Sequence, residues 1–283
     1  TVAETIKDLT ECHLKRRKGL LLAQNITAVG WIGGTVPDCE GIVELSMADC
    51  AGAGIAVGAA LVGRKPIYVI RYQGFMWYDA APLLNYAAKS KEMWNVPCPI
   101  FIRSIASEGA GPVAGGSHHG LVMRMPGIKV FAPMTPNEWL EGWNYFLEHD
   151  EPVYCSEHRD SFKINYEIKD RINPDSKITL LAISSARLSA SNIKNTDLIN
   201  ITWLKPFKIT DVMKNSLKKT GVGLIIDSDF EQSGKSLAHT LMLETGVPVH
   251  VLGLKDNTAG FGAEFRNDAP SVDKIIGKIR EII

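Results

Sequence analysis

A chain of 283 residues with an apolar fraction of 45% is long enough to fill the cores of two domains. Its 31 basic and 31 acidic residues cancel, so no long-range field favours nucleic acid or an anionic membrane as a partner. The longest apolar run, residues 51–63, is shorter than the ~18 residues expected of a membrane span. Five cysteines without Cys-x-x-Cys spacing argue against a disulfide framework or a zinc site and favour a cytoplasmic location.

Helical and strand patterns alternate along the first part of the chain. Helices are predicted at residues 2–17, 50–62, 79–93 and 136–147. Strands are predicted at residues 20–23, 66–71, 100–104, 129–132 and 153–157, and Gly-rich loops at 30–37 and 108–120. This alternation predicts a parallel sheet with helices on both of its faces.

Residues 161–175 are polar and are predicted to be a linker, because the turn-forming sequence Asn-Pro-Asp-Ser lies at their end, at 173–176. A second series of elements follows it. Strands are predicted at 178–183, 200–203, 223–227 and 249–253, and helices at 210–219, 232–244 and 271–282. We therefore predict an α/β fold with two domains, 1–160 and 176–283, each a mostly parallel sheet with helices on both faces.

An acid at the start of a small-residue helix is the first candidate for a functional group. Asp49 precedes a helix built almost wholly from Gly, Ala, Val, Ile and Leu. Such a helix lets other backbones approach closely, and an acid beside it is costly unless something uses it. The glycines at 52, 54 and 58 miss the spacing of a dinucleotide-binding loop by one residue, so close packing is the better interpretation.

Two adjacent histidines, His118 and His119, form the second candidate. Glycines flank them in a loop that follows a strand, and imidazole titrates near neutral pH. A histidine is commonly a satisfied structural residue, and the alternative here is a role in the active site. Neither the spacing nor nearby Cys or Asp residues supports a metal site at this pair.

Several short sequence motifs, spread over nearly the whole chain, are considered together. They are 54–67 (GIAVGAALVGRKPI), 85–89 (NYAAK), 126–133 (PGIKVFAP), 152–158 (PVYCSEH), 204–207 (LKPF), 219–221 (KTG) and 261–264 (FGAE). Together they resemble the beta subunit of the thiamine-dependent first component of 2-oxo acid dehydrogenase complexes. The histidine pair is similar to the histidine loop of transketolases and of deoxyxylulose-phosphate synthase, so the resemblance is to the transketolase-like superfamily.

The resemblance implies that thiamine diphosphate is the cofactor. The family has a glutamate at the position of Asp49, which hydrogen-bonds the aminopyrimidine ring and helps to deprotonate the thiazolium carbon. The family's stacking aromatic matches Phe75, and the neighbouring Tyr72 and Arg71 are expected to contribute to cofactor binding. Arg71 is either a contact for an anionic group or an ordinary exposed arginine at the end of a strand. A family histidine that faces the substrate matches His118 or His119.

Three departures from the family pattern bear on function. Asp49 is one methylene shorter than the family's acid, and the loop between the histidines and Pro126 is shorter than in the decarboxylating enzymes. The Gly-Asp-Gly motif that binds diphosphate and metal in this superfamily is missing from the sequence. The resemblance therefore implies an alpha-type partner subunit that carries this motif and Mg²⁺, together with a second copy of this chain.

The expected function is that of a beta-type subunit of a heteromeric enzyme acting on a 2-oxo acid or ketose. It would cleave or form a carbon–carbon bond next to a carbonyl group. The paired histidines favour an alternative, the C-terminal half of a split transketolase or synthase. The short acid Asp49 favours another, a catalytically silent structural subunit. An unrelated α/β binding protein is the fourth possibility.

Overall fold

Helices and strands alternate along residues 1–17, 19–109, 111, 113 and 115–283, which the computed structural model describes. The strands are β1 (Leu20–Gln24), β2 (Ile42–Leu45), β3 (Pro66–Ile70), β4 (Phe101–Ala106), β5 (Lys129–Phe131), β6 (Val153–His158), β7 (Thr179–Ile183), β8 (Asp197–Ile201), β9 (Trp203–Lys205), β10 (Gly223–Phe230) and β11 (Val249–Leu254). The helices are α1 (Val2–Arg17), α2 (Asp49–Leu61), α3 (Met76–Pro82), α4 (Ala88–Trp94), α5 (His119–Met123), α6 (Pro136–Glu148), α7 (Ala186–Ser191), α8 (Asp211–Thr220), α9 (Glu231–Thr245) and α10 (Val272–Ile282).

The strands form two sheets, which confirms the predicted α/β fold of two mostly parallel sheets. The first sheet has the order β2-β1-β3-β4-β6-β5-β9, and all its pairs are parallel except β5 with β9. The second has the order β11-β10-β7-β8 and is parallel throughout. Separate apolar clusters cover the two faces of the first sheet, and one of them continues into the second sheet.

The boundary between the sheets differs from the sequence prediction in one place. The strand predicted at 200–203 is two strands, since β8 ends at Ile201 and β9 begins at Trp203 in the other sheet. The backbone N–H of Ala132 donates to the Thr202 carbonyl at 2.8 Å and holds this crossing. Residues 198–204 (LINITWL) contain no glycine, proline or charged residue that would predict a break between two strands.

Three further elements differ from the sequence prediction. β2 and α7 were not predicted, because four and six residues are too short for a clear period. The helix predicted at 79–93 begins earlier, at Met76, and passes through a π-type turn, Leu83–Ala87, before continuing to Trp94.

Helix α6 shows how the sequence fixes an element against the sheet. Thr135 and Glu138 stand at capping-box positions at its start, where Glu138 Oε2 accepts from the Thr135 backbone N–H, and a proline lies in its first turn. Its buried residues recur at helical spacing and are Trp139, Gly142, Trp143 and Phe146. A Cβ at Gly142 would lie 2.2 Å from the Phe131 ring, so only glycine permits this approach to β5.

Helix α2 is packed through its small residues. Gly52, Ala53, Ala56 and Ala60 are buried, whereas Ile55 and Leu61 on its outer side are exposed. Among the described residues, no helix is both long enough and apolar enough to cross a lipid bilayer.

Candidate functional site

The first part of the candidate site lies where α2 begins beside the carboxyl ends of β1 and β3. Asp49 is the first residue of α2 and is half-buried. The side-chain amide of Gln24, the last residue of β1, donates from Nε2 to Asp49 Oδ1 at 3.2 Å. Partial positive charge at a helix N-terminus favours a carboxylate at this position. The sheet and the helix therefore hold the Asp49 carboxylate together.

A cavity of 140 Å³ brings together four of the residues predicted from the sequence. Asp49, Arg71, Tyr72 and Phe75 all line it. Its other lining residues are Gln24, Asn25, Met47, Tyr68, Val69, Ile70 and Asp79. At about 30 Å³ per water, the space equals roughly four or five waters and suits one six-membered aromatic ring.

Aromatic and guanidinium groups form one wall of this cavity. The Cζ atoms of Arg71 and Arg159 lie 5.1 and 5.3 Å from the centre of the Tyr72 ring. The Phe75 ring centre lies 6.0 Å from that of Tyr72. Nε of Arg71 is buried and has no acceptor among the described residues. Because buried donors are nearly always paired, this N–H is available to a ligand.

Asp79 is a lining residue of the cavity that the sequence analysis missed. Its side chain is fully buried, and Oδ1 accepts a hydrogen bond from the Tyr68 hydroxyl at 2.6 Å. Burial, and after it the charge of Asp49, raise the pKa of Asp79 to about 7, although the Tyr68 bond lowers it. Helical spacing gives a signal that could have found it, since Asp79, Leu83 and Ala87 recur on one buried face.

The second part of the candidate site is a 500 Å³ cleft beside His118. Its lining residues come from both domains and include Trp77, Asp229, Phe230, Ser233 and Asn257. The His118 ring centre lies 5.8 Å from that of Phe230, and its buried Nε2 has no partner among the described residues. Burial, with the charge of His119, lowers the pKa of His118 to about 4, so this imidazole is neutral at neutral pH.

His119 has a different environment from its neighbour. Its side chain is fully buried, with Nε2 3.0 Å from Asp227 Oδ2 and 3.6 Å from Asp229 Oδ2. Burial alone lowers the pKa of His119, but the carboxylates of Asp227 and Asp229 outweigh it and raise the pKa to about 9. The protonated ring therefore joins the loop of the first domain to strand β10 of the second.

A single glutamine connects the two parts of the site. The Gln73 side chain accepts from the His118 backbone N–H at 2.6 Å and donates to Ser156 Oγ at 3.0 Å. Ser156 Oγ in turn lies 3.1 Å from His119 Nδ1. Gln73 lies between Tyr72 and Phe75 in the chain, so its hydrogen bonds fix the position of the histidine loop relative to the aromatic wall of the cavity. The sequence analysis did not identify Gln73 or Ser156, because neither residue type signals a site by itself.

One further group of side chains has the composition of a metal site. The ligand atoms of Glu108, His158 and Asp160 all lie within 4.8 Å of one another. Glu108 is already engaged, because Oε1 accepts from Ser185 Oγ and Oε2 from the Ala269 backbone N–H. Burial opposes ionisation, but the His158 contact and these bonds keep the pKa of Glu108 below its usual range. The group therefore joins the two domains without need of an ion.

Known proteins are similar to this chain over most of its length. The family model described as the transketolase pyrimidine-binding domain matches residues 7–164. A protein named pyruvate dehydrogenase E1 component subunit beta, from Rickettsia bellii, is 24% identical over 273 residues, covering 85% of this chain and 83% of that protein. One named 2-oxoisovalerate dehydrogenase subunit beta, from Bacillus subtilis, is 25% identical over 163 residues, covering 54% and 47%.

Solved structures share the fold at lower identity. One described as a split gene transketolase, inactive beta4 tetramer, superposes with a TM-score of 0.70 at 17% identity and covers 99% of this chain and 97% of that chain. Transketolase from Campylobacter jejuni superposes with a TM-score of 0.70 at 16% identity and covers 99% of this chain and 46% of that chain.

Proposed function

Because this chain belongs to the transketolase pyrimidine-binding domain family, we propose that it is the beta-type subunit of a heteromeric enzyme that depends on thiamine diphosphate. The enzyme would cleave or form a carbon–carbon bond next to the carbonyl group of a 2-oxo acid or ketose. One observation carries the proposal: a ring-sized cavity at the carboxyl ends of parallel strands is lined by both Asp49 and Phe75. Ligands of open parallel sheets bind at this edge.

The residues of the cavity fit the aminopyrimidine end of this cofactor. The ring bears nitrogens that donate and accept hydrogen bonds. The cavity offers the Asp49 carboxylate and the Oδ2 atom of Asp79, which no described residue hydrogen-bonds. Phe75 supplies an apolar face against which a flat ring packs. When bound, thiamine diphosphate supplies a nucleophilic carbon and an electron sink next to the substrate carbonyl.

Asp49 would hold a proton-accepting oxygen against the ring. It is one methylene shorter than glutamate, a loss of ~1.5 Å of reach. Two contacts brace it: Gln24 fixes one carboxylate oxygen, and the Tyr68 hydroxyl lies 3.3 Å from the backbone carbonyl of Asp49. A Cβ at Gly52 would lie 3.2 Å from that hydroxyl, which is a tight contact, so glycine lets the start of α2 lie close to Tyr68.

The two histidines stay in the proposed site with different tasks. His118 presents a neutral imidazole to the open cleft, where it can donate to or accept from a substrate oxygen. His119 lies behind it and acts on the site through Ser156 and Gln73, which makes it a positioning residue. Nε of Arg71 lacks an acceptor in the part of the chain that the structure describes, and it would donate to an anionic group such as the carboxylate of a 2-oxo acid bound next to the ring.

The proposed partner is an alpha-type subunit that holds the diphosphate and Mg²⁺. This chain lacks the Gly-Asp-Gly motif that the superfamily uses for that purpose. Large apolar side chains are exposed along α2, α3 and α4, namely Ile55, Leu61, Trp77, Tyr78, Met93 and Trp94. A surface of this kind marks an interface, and we propose that the alpha-type subunit and a second copy of this chain cover it over more than ~2,000 Å². All five cysteines are unpaired, which supports a cytoplasmic location.

Reconstitution tests this function. The chain is purified alone and with a partner polypeptide that carries the Gly-Asp-Gly motif, and thiamine diphosphate binding is measured by calorimetry. We expect tight binding by the complex only. Micromolar binding by the isolated chain would contradict the shared site. A complex that binds thiamine diphosphate without exchanging the thiazolium proton for deuterium would identify a silent subunit.

A further inference from the structure

Two carboxyl groups line the same cavity in unlike surroundings. Asp49 is half-buried and shares its Oδ1 with Gln24. Asp79 is fully buried, and its Oδ2 has no hydrogen-bond partner among the described residues. Environments that differ in this way keep two acids in different protonation states, which is how proteins assign them different tasks.

A purely structural role for Asp79 does not account for its second oxygen. The Tyr68 hydroxyl needs one acceptor, and Oδ1 provides it at 2.6 Å. A side chain with a single oxygen would satisfy that bond. A buried, unpartnered polar atom costs free energy, so Oδ2 is expected to have a partner outside the protein. The cavity that Asp79 lines is where such a partner can lie.

The protonation state of Asp79 determines whether Oδ2 can donate a hydrogen bond or can only accept one. Three ionisable groups act on it: Tyr68 and Asp49 at the cavity, and Tyr154, whose own titration is coupled to the charge of Asp79. Tyr68 and Tyr154 are held neutral by burial, since their pKa values are raised above the usual range. Arg71 is a positively charged residue of the same cavity lining, but the causes that shift the pKa of Asp79 are burial, the Tyr68 hydrogen bond and the charge of Asp49.

We propose that Asp79 contacts the ligand as a neutral carboxylic acid, with Oδ2–H donating to a ring nitrogen while the Asp49 carboxylate accepts from the opposite, donor-bearing edge of the same ring. The ligand class is a flat nitrogen heteroaromatic with a donor and an acceptor on different edges, packed against Phe75. This inference rests on the proposed function, because an aminopyrimidine is such a ring.

The test uses the full chain and a fragment, 4-amino-2-methylpyrimidine, with the dissociation constant measured by NMR titration. Asp79→Asn keeps an acceptor for Tyr68 and places an N–H donor where the proposal puts O–H. Asp79→Leu has similar volume and neither group. We expect binding within about threefold of the parent for Asp79→Asn and about tenfold weaker for Asp79→Leu. Parent-like binding by Asp79→Leu, or equal loss in both variants, would overturn the proposal.

A second measurement does not depend on the folding of the leucine variant. Infrared difference spectra of the parent chain, with and without the fragment, report the C=O stretch of a protonated carboxyl group. We expect a band that shifts when the fragment binds and that Asp79→Asn lacks. A parent spectrum without such a band would overturn the proposal, and so would a parent chain that does not bind the fragment. Either result leaves the proposed function standing if the reconstituted complex still binds thiamine diphosphate.

Discussion

The cavity at Asp49 and the cleft at His118 are built in opposite ways. The cavity comes from one sheet, and residues 24 to 79 supply all of its lining. The cleft joins two domains, and the bonds that hold it, from His119 to Asp227 and from Gly120 to Asp229, span 108 and 109 positions. A site of the first kind can be recognised from a continuous stretch of sequence. The second kind exists only after the domains have docked.

The two adjacent histidines also differ in the hydrogen bonds that their ring nitrogens make. His119 has every ring nitrogen paired inside the protein, which identifies it as a residue that holds the structure together. His118 Nε2 has no partner in the described parts of the chain, and the same is true of Asp79 Oδ2 and Arg71 Nε. These three atoms belong to residues that line the cavity or the cleft, so we expect them to contact a ligand. Four substitutions test this difference between groups that contact a ligand and groups that hold the structure together. They are given in order of expected effect, from the largest to the smallest.

Asp49→Ala is expected to abolish activation of thiamine diphosphate in the reconstituted complex, with a loss on the order of 10³-fold. The alanine removes the proton-accepting oxygen at the start of α2. The measurement is the exchange rate of the thiazolium proton, followed by NMR. Asp49→Asn should behave in the same way, whereas Asp49→Glu should keep part of the exchange. Unchanged exchange in the alanine variant would remove Asp49 from the catalytic assignment.

His119→Ala is expected to lower the free energy of unfolding by about 3–5 kcal/mol, because it leaves Asp227 and Asp229 buried without their cation. The measurement is the thermal midpoint, followed by circular dichroism. Leu243→Ala is a matched control, since that side chain lies on the exposed side of α9 and should change the midpoint little. A His119→Ala midpoint equal to that of the control would contradict the structural role.

The same residue gives the protein a pH dependence with a definite sign. The pKa of His119 is about 9 in the folded chain and near the ordinary histidine value of 6.5 when the chain is unfolded. Its stabilisation is therefore complete below about pH 6.5 and is lost as the pH rises through about 9, with a maximum of about 3 kcal/mol. Thermal midpoints of the parent chain should fall over this window. Those of His119→Gln should stay flat.

His118→Ala is expected to lower turnover by ~10²-fold while the fold and cofactor affinity stay unchanged. Its ring contacts Phe230 and the open cleft, and its buried Nε2 makes no hydrogen bond to any described residue, so the alanine variant keeps the backbone N–H bond to Gln73. The measurements are steady-state rates and the thermal midpoint of the reconstituted complex. Turnover equal to that of the parent would contradict a role for His118, and for the cleft beside it, in the reaction.

Arg71→Ala is expected to have the smallest effect, a rise in KM of about tenfold for an anionic substrate with kcat nearly unchanged. The variant loses the unpaired Nε–H but keeps Tyr72 flanked by Arg159. The comparison is with an uncharged substrate of similar size, for which KM should not change. An equal rise in KM for both substrates would mean that Arg71 shapes the cavity without recognising charge.

The elements that could be predicted from the sequence are those with a long local pattern. The α/β alternation, the fold class and the family resemblance are confirmed, since they rest on runs such as 54–67 and on long helices such as α6. Asp49, Arg71, Tyr72 and Phe75 fall in one continuous stretch, so the sequence could bring them together. Their roles, and those of the histidines, stay predictions.

The parts that could not be predicted depend on contacts between distant positions. The role of Asp227 and Asp229 is visible only in the folded structure, where β10 lies beside the histidine loop. Likewise, the sequence alone indicates only that Tyr68 lies in a strand, and its hydrogen bond to Asp79 appears only in the structure. The change of sheet between Ile201 and Trp203 is not predicted either, because the two strands are short and only Thr202 separates them.

Strand β9 determines where this polypeptide can be divided. Trp203 stacks on Phe131 with ring centres 5.1 Å apart, and Lys205 pairs with Val130 at the edge of the first sheet. A gene split after residue 175 would strip that edge and leave its backbone groups open to pairing with other chains. A split after residue 205 would keep β9 but take β7 and β8 away from β10. No single break between these points separates the two sheets intact, because β9 follows β7 and β8 in the chain but belongs to the first sheet.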